Sequence, residues 1–141
     1  MDDAEFQVQK TRVLALIEKW VKPIGLGWWH ITFKYVRDSF LVSPEDHEAN
    51  WQCVMKCNAK WQYLDAAISI SMPAIVDLDD DDLEKYFIHE LCHIPVNELR
   101  QVNEDDCLMH EERVVTTLAN AFVWLAESLK TSPPSTTDGS E

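Results

Sequence analysis

Apolar residues along this chain switch between two periods, and the switches mark its elements. Over residues 4–22, Phe6, Val13, Leu16, Ile17 and Trp20 recur at helical spacing, and Pro23 and Gly25 follow. That pattern predicts an amphipathic helix with a defined stop. Residues 28–36, "WWHITFKYV", alternate instead: Trp29, Ile31, Phe33 and Tyr35 on one side, His30, Thr32 and Lys34 on the other. A period of two predicts a half-buried strand. A polar connection over 37–50 contains Pro44.

Alternation returns over residues 51–61. Trp51, Cys53, Met55, Cys57, Ala59 and Trp61 share one face; Gln52, Lys56, Asn58 and Lys60 share the other. It returns once more over 66–72, with Ala66, Ile68, Ile70 and Met72 inward and Ser69 and Ser71 outward. The short link "QYLD" predicts antiparallel pairing of these two strands. Pro73 ends the last strand, and "DLDDDD" offers an N-cap with acids where the helix dipole favours them. The helix so started runs from about Asp81 to at least His93. Pro95 predicts an end or a kink just past that histidine.

A further helix over about 106–130 carries Glu111, Val115, Leu118, Phe122, Leu125 and Leu129 as one stripe. The last segment, "TSPPSTTDGSE", has the composition of a disordered tail over 131–141. The expected fold is therefore α+β. Residues 1–130 form one domain, with an N-terminal helix and two later helices packed on an antiparallel or mixed sheet of three or more strands.

A chain of 141 residues with 46% hydrophobic content can bury one substantial core. The formal net charge of −13, with no cluster of Lys and Arg in the sequence, speaks against nucleic acid as a partner. The first ten residues lack the basic and apolar parts of a secretory signal, and no apolar run is long enough to span a membrane. Four cysteines without a CxxC pair fit reduced thiols, so the expected location is cytoplasmic.

One stretch carries chemistry. In "YFIHELCHIPV", His89 and His93 stand four apart with Glu90 directly after the first. On a helix, residues four apart project from the same side, so both imidazoles can address one ion. Glu90 lies about 100° round the helix, placed to take a proton from a metal-activated water rather than to ligate. Phe87, Ile88, Leu91 and Cys92 flank the motif, as a dry site requires.

A catalytic zinc ordinarily takes three protein ligands. Candidates for the third are His110, Glu111 and Glu112. Glu111 is favoured because it lies on the core-facing stripe, where a carboxylate needs a partner. Glu112 lines up with Thr116, Ala119 and Val123, a less apolar face. Tyr86 and His110 are candidate donors to an oxyanion. Cys92 is expected to be a buried structural thiol, Cys53 and Cys57 core residues, and His30 a solvated one.

"FIHELCH" followed by Glu111 in "HEERVVTTLA" resembles the gluzincin zinc metallopeptidases, most of all their minimal phage and bacterial members. The resemblance covers residues 28–130. It implies a zincin-like fold whose edge strand pairs with an extended substrate, zinc held by His89, His93 and Glu111, and Glu90 as general base acting on peptide or protein substrates. The alternatives are a non-catalytic zincin-like metal-binding interaction module and a SprT-like protease with His110 as third ligand.

Overall fold

The computed structural model describes residues 1–40, 54–100 and 107–131, without the side chains of 98–100, 107–110 and 131. The elements in chain order are α1 (Asp3–Trp20), β1 (His30–Val36), β2 (Met55–Lys60), a 3-10 turn (Trp61–Tyr63), β3 (Asp65–Ser71), α2 (Met72–Ile75), α3 (Asp80–Arg100) and α4 (Cys107–Thr131). The predicted order of helices and strands is thus present. Residues 51–53 and the tail beyond 131 lie outside the described residues.

The sheet has the order β1-β3-β2 and is mixed. β2 and β3 are antiparallel, Met55 opposite Ile70, as the short link predicts. β3 runs parallel to β1, with Phe33 opposite Ile68. The turn between β2 and β3 places Leu64 in the left-handed region (φ 49°).

The strands keep their predicted faces through the described residues except at Ser71, expected outward but buried, with its hydroxyl donating to the Asp38 carbonyl at 3.0 Å. Ala66, Ile68 and Ile70 are buried on β3, as are Met55 and Ala59 on β2. Ile31, Phe33 and Tyr35 pack against the same core. Among the described residues the helices cover this side. Phe87 of α3 stacks on Phe33 with ring centroids 6.0 Å apart, and α3 packs against β2 and α4.

Two caps begin the helices. Asp2 accepts from the Glu5 backbone at 2.8 Å, and Asp79 accepts from that of Asp82 at 2.8 Å. α1 is fastened by Arg12, which donates to the carbonyls of Ile75 at 3.1 Å and Leu78 at 2.7 Å, to Gln9 at 2.7 Å and to Asp80 at 2.9 Å.

α3 departs from its expected end and continues through Pro95 to Arg100. Pro95 is exposed while its neighbours Ile94 and Val96 are buried. Burial of Ile94 and Val96 outweighs the hydrogen bond that proline cannot give to the Leu91 carbonyl. A second departure follows β3: Met72 and Pro73 open the short helix α2, with proline in its first turn.

Candidate metal centre

His89 and His93 sit on successive turns of α3, where its face turns from the core toward α4. Ile88, Leu91 and Cys92 beside them are fully or almost fully buried. These contacts fix the rotation of the helix, so the two imidazoles can only point along the α3–α4 seam. Their Nε2 atoms are 3.2 Å apart, and their rings meet edge to face with centroids 4.9 Å apart. With one Glu90 oxygen they form a His/Glu/His group whose ligand atoms lie within 4.8 Å of one another, close enough to hold a metal ion.

α4 brings two adjacent carboxylates to this pair from different sides. Glu111 is buried, and its Oε1 lies 2.9 Å from Nδ1 of His93. Glu112 is half-exposed and reaches both Nε2 atoms: Oε2 is 3.2 Å from His89 and Oε1 is 3.1 Å from His93. Glu111, the third ligand expected from the sequence, stands behind the His93 ring. Its carboxylate occupies the far nitrogen of His93, where it orients the ring, and the acid facing the convergent nitrogens is Glu112.

The reason lies in the stripe argument itself. A core-facing position buries a carboxylate behind the ring, whereas a residue about 100° further round the helix faces the open seam. The side chain of His110 lies outside the described residues.

The electrostatics favour a cation here. Donation of Nδ1–H from His93 to Glu111 leaves the His93 lone pair on Nε2. Two ring nitrogens and a carboxylate at these separations repel one another unless a proton or a cation lies among them. Burial, and then the neighbouring His93, lowers the His89 imidazole below its ordinary value, partly opposed by Glu112. That trend favours the neutral form, which is the one that ligates. Burial pushes Glu90 up to about 7; His93 works against the rise and Glu112 adds to it.

β2 borders the centre. Burial, then the charges of Glu90 and Glu111, push the Cys57 thiol up to about 12, which places this strand beside both acids. Cys57 is thus half-buried next to the site rather than a plain core residue. Cys92 is buried as expected, its thiol pushed up to about 11 by burial. Cys53 and His47 lie outside the described residues. Tyr86 is exposed, and His30 is exposed with Nδ1 3.2 Å from Asp65.

The outer side of β2 pairs with no strand among the described residues. Ser71 donates to the Val54 carbonyl at 2.9 Å. Hydrogen-bonded pairs alternate in an antiparallel ladder, so the register assigns Lys56, Asn58 and Lys60 to β3. Cys57 and Ala59 then turn their backbone N–H and C=O groups to the side away from β3.

Two contacts are not legible in the sequence: Glu112, one of three candidate third ligands, straddling both imidazoles, and Cys57 beside Glu90. Both contacts join elements far apart in the chain, and only the adjacency of Glu111 and Glu112 hinted at the first. No helix among the described residues is long and apolar enough to cross a membrane. No protein-family model matches this chain, and no curated protein or solved structure matches it either, so the resemblance to gluzincins rests on the site residues alone.

Proposed function

We propose that this chain is a zinc-dependent peptidase, with His89, His93 and Glu112 as metal ligands, Glu111 holding the His93 ring and Glu90 as general base. The observation that carries the reading is the convergence of both imidazoles and one carboxylate. The two Nε2 atoms are 3.2 Å apart, and each has a different Glu112 oxygen beside it, Oε2 at 3.2 Å from His89 and Oε1 at 3.1 Å from His93. Ligand atoms bound tetrahedrally at about 2.0–2.1 Å stand about 3.3 Å apart. The three groups thus already hold nearly the spacing that zinc requires.

Zinc, when bound, would supply a water acidified toward neutrality and a positive charge for a developing oxyanion. The protein's own groups do the remainder. Glu90 sits in the same cluster. Its pKa near 7 suits a group that accepts a proton from the attacking water and delivers it to the leaving amine. A cation beside it favours its ionised, proton-accepting form. The buried flank of α3 limits the water that reaches the centre. The outer side of β2 pairs with no strand among the described residues and turns the backbone groups of Cys57 and Ala59 outward, where an extended chain could pair, which favours peptides over small molecules as substrates.

The test pairs metal content with turnover. Wild-type protein and Glu90→Gln, both equilibrated with zinc and dialysed, should each retain one zinc per chain. Only the wild type should cleave a mixed peptide library. Failure of the wild type to take up zinc, or equal cleavage by both, refutes the proposal. Zinc uptake without cleavage of any peptide would instead favour a non-catalytic binding module.

A further inference from the structure

The apolar stripe of α4 leaves the core before it ends. Glu111 and Val115 are buried, and Leu118 and Phe122 pack against the core. Leu125, however, is 57% exposed and Leu129 69%, although periodicity placed both on the core-facing stripe. α4 packs on α3 and meets α1 through Phe122, whose ring stands edge-on to Trp20 with centroids 6.5 Å apart. Trp124, 71% exposed, stands beside the two leucines, and the exposed Val114, Thr117 and Ala121 continue the face toward the start of the helix. At 100° per residue these six fall within about 140° of one another. Thr117 turns its hydroxyl back to the Arg113 carbonyl at 2.9 Å. No charged residue occurs from Val114 to Ala126, in a chain whose formal charge is −13. An uncharged, exposed face of this extent marks a surface for another protein.

We propose that this face binds the same face of a second copy of the chain, the two α4 helices running antiparallel about a two-fold axis near Asn120. Size favours a second copy. The bulky Trp124, Leu125 and Leu129 occupy one half of the face, and the smaller Val114, Thr117 and Ala121 the other. A two-fold contact sets a face against itself, and the antiparallel arrangement lays each bulky half on the other copy's smaller half. Charge agrees. Arg113 and Glu127 are both exposed and stand 14 residues apart, close to four turns, so they share one flank. Antiparallel pairing about Asn120 brings Arg113 of each copy to the level of Glu127 of the other, whereas parallel pairing sets like charges at one level. Glu127 also has a contact within its own chain, and a carboxylate has acceptor capacity for two partners. Area agrees as well: at their exposures Val114, Trp124, Leu125 and Leu129 hold roughly 500 Å² per copy, about 1,000 Å² for the pair, which is where specific interfaces begin. Glu112 lies on the opposite flank of α4, so the pairing leaves the metal centre open and stands independently of the peptidase reading.

Sedimentation equilibrium of the full-length protein up to about 500 µM tests the proposal, since so small an interface predicts micromolar association. The leucines are tested with both signs of charge, as Leu125→Lys/Leu129→Lys and Leu125→Glu/Leu129→Glu, to separate loss of the apolar contact from general repulsion. Both residues are exposed, so circular dichroism and the urea midpoint should match wild type. We expect a dimer for the wild type and association at least about tenfold weaker in both leucine variants. Arg113→Glu and Glu127→Arg should each weaken association about tenfold, because the pair occurs twice, and the two together should restore it. This charge swap reads the contact even where a leucine variant unfolds. Ala121→Cys, near the axis, should cross-link to itself under mild oxidation faster than the wild type cross-links. A monomer at about 500 µM overturns the proposal, as does a dimer unaffected by both leucine variants. A dimer that the leucine variants abolish, with neither rescue by the charge swap nor cross-linking through Ala121→Cys, overturns the antiparallel arrangement.

Discussion

Glu90→Gln in the metal-free protein should make the fold more stable, and the gain should grow with pH. Burial lifts this carboxyl from 4.5 to about 7 in the folded chain. Between those values the native state keeps a proton that the unfolded chain has released. Native stability therefore falls as pH rises through that window, and the loss is complete above about 7. A difference of about 2.5 pH units at about 1.4 kcal/mol each amounts to about 3 kcal/mol at pH 8, and to only about 1 kcal/mol at pH 5. Glutamine has nearly the same shape and no charge to desolvate, so the variant escapes this cost.

Urea unfolding followed by tryptophan fluorescence, with a chelator present, reads the effect directly. The variant should gain about 3 kcal/mol over wild type at pH 8 and about 1 kcal/mol at pH 5. Added zinc should shrink the gain, because a cation near the ionised carboxylate offsets its desolvation. A gain equal at both pH values, or a loss at pH 8, would refute the reasoning that Glu90 is a buried, costly carboxylate.

Four further outcomes follow from the geometry. Glu112→Ala should weaken zinc binding by more than the about 10- to 100-fold expected for Glu111→Ala, which removes only the partner of His93; competition titration against a chromophoric chelator reads both. Arg12→Ala should destabilise by about 2–3 kcal/mol in urea unfolding, because the Leu78 carbonyl loses a charged donor and the Ile75 carbonyl keeps only the Leu78 N–H. Asp80→Ala should cost under about 1 kcal/mol, since that end of the pair is largely exposed. Phe87→Ala should cost about 3–5 kcal/mol in the same assay, removing a fully buried ring stacked on Phe33.

The parts of this fold legible in the sequence are those that one element decides alone. Alternation assigned Ile31, Phe33 and Tyr35 inward and Lys56, Asn58 and Lys60 outward, because a strand has only two faces. His89 and His93 could be paired from spacing, because one helix fixes both. What was not legible depended on partners distant in the chain. The parallel pairing of β1 with β3 requires β3 to insert between β1 and β2, and nothing local to either strand signals that insertion. The passage of α3 through Pro95 is decided by packing of Ile94 and Val96, which outweighs a local preference.

Glu111 and Glu112 illustrate the same limit at the site. Periodicity ranked Glu111 as the more buried, and it is. Burial, however, identifies the acid behind the imidazole, while a ligand to an open metal site must face the seam. Which side of His93 each acid meets depends on the rotation of α4 against α3, and neither helix encodes that by itself.

The most direct test is an anomalous-difference map at the zinc edge from crystals equilibrated with zinc. The account predicts one peak in the α3–α4 seam, about 2.0–2.2 Å from Nε2 of His89, Nε2 of His93 and an oxygen of Glu112, with Glu111 still on Nδ1 of His93. No peak there, or an ion bound through Glu111 with Glu112 turned away, would contradict it.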